Sequence, residues 1–207
     1  LKLTHLALPL IAALALTTLT LGGCSRQEAA DKTATQPAAP ATADAAATPA
    51  QPYEMVAAQG KGFSVGAMMS ANTVYVLFDP QCPHCGRLWQ ASVPLHGKAR
   101  FVWIPISFGN PKSAPQGATL LAAANPAELM EAHEKSLLAG TGGIAASASV
   151  TADLEQAIKQ NTDLLNRLGG DSVPYVIAKN QRTGKVVTNV GAMETPALAE
   201  FLGISQP

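Results

Sequence analysis

The sequence is short of charge. Only 14% of its 207 residues are charged, and 14 Lys and Arg balance 14 Asp and Glu to a formal net charge of zero. Basic residues gather into no run, so no positive field invites a phosphate backbone and nucleic-acid binding is not expected. Cysteine is scarcer still: Cys82 and Cys85 stand close together, and Cys24 stands alone. A structural zinc knuckle needs a second ligand pair, and His84, His96 and His133 do not provide one at the usual spacing. Haem attachment needs a histidine directly after the second cysteine, where Gly86 stands instead. No metal and no cofactor is therefore expected. No internal repeat is evident.

The stretch 25–52 lacks aromatics and every Leu, Ile and Val. Built from Ala, Thr and Pro, it cannot offset the entropy of ordering a packed segment. We read residues 24–52 as a partly extended tether, with a mean reach of roughly 30 Å. Ahead of it, Lys2 opens an apolar run to Leu21 whose Pro, Thr and tight ending suit a signal peptide better than a permanent span. Leu21-Gly22-Gly23-Cys24 resembles a bacterial lipobox. That resemblance implies cleavage after residue 23 and lipid on the Cys24 thiol, hence a membrane anchor. By the same resemblance, Ser25 rather than Asp in the next position implies sorting to the outer membrane. With Cys24 used by lipid, Cys82 and Cys85 remain as one disulfide-forming pair in an oxidising compartment.

Residues 53–207 read as one α/β domain. Residues 73–78, TVYVLF, form a strand apolar on nearly every side chain, as burial on both faces requires. Pro83 suits a first helical turn, so a helix is expected over 82–93, ending at Pro94. Residues 99–106 give a second strand, in which Pro105 argues against an ordinary central position. Helices are expected over 115–124, 126–138 and 151–168, a strand over 173–178, its hairpin partner over 185–189, and a closing helix ending near 202. Residues 60–65 are a candidate for a short added strand. His96 and His133 read as surface or helix-flanking residues, and Trp89 and Trp103 as core or groove lining.

The pair Cys82-Pro83-His84-Cys85 follows a hydrophobic strand and opens a helix. There, unpaired amides and the helix dipole stabilise a thiolate at Cys82, and a protonated His84 adds to that. Cys85, one turn on, faces the same side and can resolve a mixed disulfide. A stabilised thiolate is also a good leaving group, which makes the disulfide more oxidising. A purely structural bridge remains open, although so short a loop gains little from closure. Val173-Pro174 opens an otherwise apolar strand. It is either an edge-strand proline or a cis bond packed against the cysteines, presenting the Val173 backbone to a substrate chain.

Together, TVYVLFDPQ, CPHC, GRLWQ and LLNRLGGDSVPYVIA resemble the thioredoxin-fold catalytic domain of periplasmic disulfide isomerases of the Dsb C/G type, closest to the G type, over residues 60–204. The resemblance implies that Cys82 attacks, Cys85 resolves, Pro174 is the cis-proline, and residues 111–170 form a helical insert. It departs in two ways. Residues 53–71 are too few for those isomerases' dimerisation domain, which implies a monomer. The CPHC motif and Val173 before the proline are similar to the oxidising Dsb A type. The expected function is a tethered periplasmic thiol–disulfide oxidoreductase acting as an oxidant. Its expected partners are unfolded or misoxidised envelope proteins and a membrane redox partner. A reductase or isomerase, or a tethered chaperone with an incidental disulfide, are the alternatives.

Overall fold

The structure, a computed structural model, describes residues 51–207 apart from Ser149. The expected signal peptide, the Cys24 lipid site and nearly all of the tether lie outside the described residues.

Five strands form one mixed sheet in the order β1-β3-β2-β4-β5. They are β1 (Phe63–Gly66), β2 (Thr73–Phe78), β3 (Arg100–Pro105), β4 (Tyr175–Lys179) and β5 (Val186–Val190). β2 and β3 are parallel, and the other pairs are antiparallel. Parallel strands need a crossover, here α2 (Pro83–Ser92) and a 3-10 turn at Val93–Leu95 that contains Pro94. β2 is the middle strand, and Val74, Val76, Leu77 and Phe78 are each at most 1% exposed. This is why its sequence is apolar on both faces. The α/β expectation holds.

Between β3 and β4 run three helices: α3 (Ser113–Ala122), α4 (Pro126–Leu138) and α5 (Ala152–Arg167). Asn125 caps α4 by accepting from the Glu128 amide, with Pro126 in the first turn. α6 (Thr195–Leu202) closes the chain against α2. The aromatic centre of the core joins sheet to crossover helix, with Trp103 edge-on to Phe78 at 5.5 Å and to Trp89 at 5.2 Å.

Two expectations need correction. A helix not foreseen, α1 (Gln51–Gln59), precedes the short added strand β1 and buries Tyr53 and Val56. Its residues Tyr53 and Val56 are three apart, one helical face, but the Ala- and Pro-rich approach masks the pattern. Pro105 also lies in an interior strand, since β3 is flanked by β1 and β2. The fold tolerates it because β1 pairs only as far as Trp103. The Ile106 amide points to Phe78 O on the β2 side, so the Pro105 nitrogen faces the other way, past the end of β1. No ladder hydrogen bond is lost there.

Candidate active site

The strand-to-helix turn at the end of β2 runs Asp79-Pro80-Gln81-Cys82. Cys82 takes the N-cap position of α2 in an extended conformation, and Pro83 occupies the first helical turn. Cys85 and Gly86 amides close back onto the Cys82 carbonyl at 3.0 and 3.4 Å. Both cysteines are free thiols in this structure. They differ sharply in environment: Cys82 is half-buried, whereas Cys85 is 0% exposed.

That asymmetry sets their acidity. The Cys82 thiol is lowered to about 6, first by the hydrogen bond from the Cys85 thiol and then by the amides of Cys85 and His84, against the opposing effect of burial. The His84 side chain, exposed to solvent, is the smallest of these causes. The amides of the helix start outweigh the imidazole that the motif brings to notice. Burial pushes the Cys85 thiol well up, and hydrogen bonding to Cys82 and the negative charge there push it further.

Opposite the pair stands the loop before β4. The Val173–Pro174 peptide is cis, both residues are buried, and the Val173 carbonyl lies 3.6 Å from Cys82 Sγ. As a thiol, Cys82 donates to that carbonyl; as a thiolate it accepts from Cys85. Cys82, His84, Phe108, Asn110, Asp171 and Val173 are among the residues that line a cleft of about 380 Å³. Pro83 is exposed beside it. A larger hollow of about 470 Å³ between α1 and α5 holds no thiol.

The residues that hold this turn in place escaped the sequence reading. Asp79, 5% exposed, accepts from the Gln81 and Phe108 amides, each at 2.8 Å, and from the Ser113 hydroxyl. One carboxylate thus ties the cysteine turn to the cleft wall and to α3. Gln81 Nε2 donates to Gln116 Oε1 and to the Gly142 carbonyl. His133, read as a surface residue, is instead 0% exposed. The Ile144 amide donates to its Nδ1, so Nε2 carries the proton and donates to Pro80 O at 2.7 Å. Burial lowers its basicity, in keeping with a neutral ring that uses both nitrogens. Gly143 makes room: a Cβ there would stand 2.5 Å from His133 Cε1, and its φ is +84°. The signal for His133 was in the helix period. Met130, His133, Glu134 and Leu137 are the buried residues of α4, at the spacing of an apolar stripe, with two polar members.

This arrangement of strands and helices is similar in fold to the solved structure of the catalytic domain of Proteus mirabilis ScsC. The TM-score is 0.58 at 15% identity, covering 74% of this chain and 94% of that one. The fold is thioredoxin-like. No family model matches the sequence. At the sequence level the chain is similar to the thiol:disulfide interchange protein DsbG of Pseudomonas aeruginosa, 27% identical over 140 residues, covering 67% of this chain and 54% of the relative. It is also 29% identical over 105 residues to DsbG of Escherichia coli, covering 50% of this chain and 42% of that protein. The chain spans about half the length of these relatives. Among the described residues, no helix is long and apolar enough to cross a membrane.

Proposed function

We propose that this thioredoxin-like domain is a periplasmic thiol–disulfide oxidoreductase that acts as an oxidant of envelope proteins through Cys82 and Cys85. The observation that carries this reading is the division of acidity within the pair. A half-buried sulfur lowered to about 6 sits beside a buried one pushed well up. In the oxidising direction a substrate thiolate attacks Cys82 Sγ, the Cys82–Cys85 bond breaks, and Cys85 leaves. A second substrate thiolate then attacks the substrate sulfur of the mixed disulfide. Cys82 departs as a stabilised thiolate, the substrate gains a disulfide, and the pair has taken up two electrons. The reverse path uses the same atoms.

The cleft walled by Phe108 and Val173 is a suitable seat for the chain flanking the reacting cysteine, with Val173 and Pro174 as its substrate-binding edge and Pro83 and His84 on the rim. We further propose that Cys24 bears a lipid anchor, that residues 24–52 tether a monomeric domain, and that a membrane redox partner reoxidises the pair. A Cys24→Ser protein that still took up lipid label and stayed membrane-bound would overturn the anchor.

The deciding measurement is the equilibrium reduction potential of the full chain against glutathione buffers. A value near about −120 mV is expected; one at about −200 mV or below would reassign the protein to service in the reduced state. Cys82→Ser should abolish thiol oxidation, and Cys85→Ser should accumulate mixed disulfides with substrate. Full turnover by Cys82→Ser would sink the redox assignment altogether.

A further inference from the structure

The cleft beside the cysteine pair carries an unmatched charge. Two carboxylates line it, Asp79 and Asp171, while no Lys or Arg does. Asp79 is buried and spends both oxygens on the Gln81 and Phe108 amides and the Ser113 hydroxyl. Asp171 is exposed, and among the described residues it has neither a hydrogen bond nor an ion pair. By contrast the surface acids Glu54, Asp163 and Glu200 each hold a Lys or Arg.

The fold fixes where this carboxylate stands. Two residues further on, the Val173 carbonyl lies 3.6 Å from Cys82 Sγ. On the other side, Gly170 is wedged against Leu165 and Tyr175 with no room for a Cβ, and its amide donates to Leu165 O at 3.0 Å. Successive Cα atoms are about 3.8 Å apart, so the Asp171 backbone lies within about 8 Å of that of Val173. A long side chain one or two residues from a cysteine bonded to Cys82 can reach it. Phe108 supplies the other kind of contact. Its amide is tied to Asp79 at 2.8 Å, yet its side of the cleft leaves the residue 46% exposed, an apolar face kept open near the reacting sulfur.

We propose that Asp171 is a specificity-determining residue: the favoured substrate cysteine has a Lys or Arg one or two residues away, paired with the Asp171 carboxylate, and an apolar side chain on its other flank, against Phe108. This rests on the reading of Cys82 and Cys85 as a redox pair. The chemistry is unchanged. The substrate thiolate attacks Cys82 Sγ, the Cys82–Cys85 bond breaks, and Cys85 leaves as the sulfur that is reduced. Asp171 acts on the encounter and on the orientation of the attacking chain. An acidic flank meets like charge at the same place. A single solvent-facing ion pair is weak, but attraction of a basic flank and repulsion of an acidic one multiply when the two substrates are compared.

The test uses the oxidised full chain and blocked pentapeptides with one central cysteine, Leu on one side of it and Lys, Gln or Glu on the other, in both orders. Samples are quenched in acid, and opening of the Cys82–Cys85 bond is followed by mass spectrometry. Rates are expressed per peptide thiolate, because a neighbouring Lys also raises the ionised share of its own cysteine. At low ionic strength the wild type should favour the Lys over the Glu peptide by about tenfold in the better order. At about 0.5 M salt the preference should shrink to about two- or threefold. Asp171→Asn should abolish most of it, and Asp171→Lys should invert it. With Ser in place of Leu the wild type should react more slowly, and Phe108→Ser should lose that distinction. A wild-type preference below about twofold overturns the proposal. So does a preference that survives in Asp171→Asn, including the case in which every peptide slows equally, which would mean that Asp171 only shapes its loop. If no peptide opens the wild-type disulfide, the redox reading itself fails, a distinct result.

Discussion

The acidity of Cys82 can be turned into a stability measurement. A thiol at about 6 in the fold and about 9 when unfolded is ionised roughly ten to one at pH 7, against about one in a hundred in the unfolded chain. This is a depressed group, so its contribution is present in full above the unfolded value and is lost as pH falls through 6. At pH 7 the two populations differ by about 1.4 kcal/mol of linkage free energy, which solvent screening at a half-buried sulfur reduces to about 1 kcal/mol. Urea unfolding of the reduced full chain and of Cys82→Ser at pH 5, 7 and 8 isolates the effect. The pH-independent packing change cancels on comparing pH values, and making both measurements in a Glu134→Gln background removes the coupling of that carboxyl to the Cys82 charge. The reduced protein that keeps Cys82 should gain about 1 kcal/mol over the variant between pH 5 and 7, and more by pH 8. Thiolate absorbance should titrate with a midpoint near 6, and alkylation of Cys82 should follow the same curve. A midpoint above about 8, or a stability difference that does not move with pH, would refute the account of how the helix start and the Cys85 thiol stabilise the anion.

Three further outcomes are expected. Asp79→Ala strands the Gln81 and Phe108 amides and the Ser113 hydroxyl in a buried site, and should lower unfolding free energy by about 2–4 kcal/mol. A loss below about 1 kcal/mol would mean that Asp79 does not bridge the turn. Glu134, whose folded value is raised, is unpenalised below pH 4.5 and loses stability as pH rises towards 9. Glu134→Gln should therefore gain about 3 kcal/mol relative to wild type between pH 4 and pH 7, and chemical unfolding at the two pH values that shows no such change removes the argument. Gly143→Ala should cost about 1–3 kcal/mol, because its backbone is left-handed and its Cβ meets the His133 ring; a neutral result in thermal unfolding would show that the ring can shift.

Much of the architecture was legible because it depends on local rules. The run TVYVLF marks a strand with two buried faces, Pro83 and Pro126 mark helix starts, and the order of elements is that of an α/β domain. The position of the cysteine pair, after a buried strand and at a helix start, likewise depended only on neighbours in sequence. α1 was missed because an Ala- and Pro-rich approach hides its two buried positions. Pro105 was misjudged because a proline reads as an edge signal until it is known where the neighbouring strand ends.

By itself the sequence determined that a CPHC pair would open a helix behind the central strand, since capping, helix dipole and period act over a few residues. Only the tertiary structure decided what surrounds that pair. Asp79 meets Phe108 across 29 residues, His133 meets Pro80 across 53, and Cys82 meets Val173 across 91. Such contacts follow from how the helices between β3 and β4 fold back over the turn, a result of packing the whole core that no short window of sequence encodes. The same packing excludes water from Glu134 and Cys85 while leaving Cys82 within reach of solvent. Desolvation, which is a property of the assembled interior, therefore separates two cysteines that the motif presents as equals.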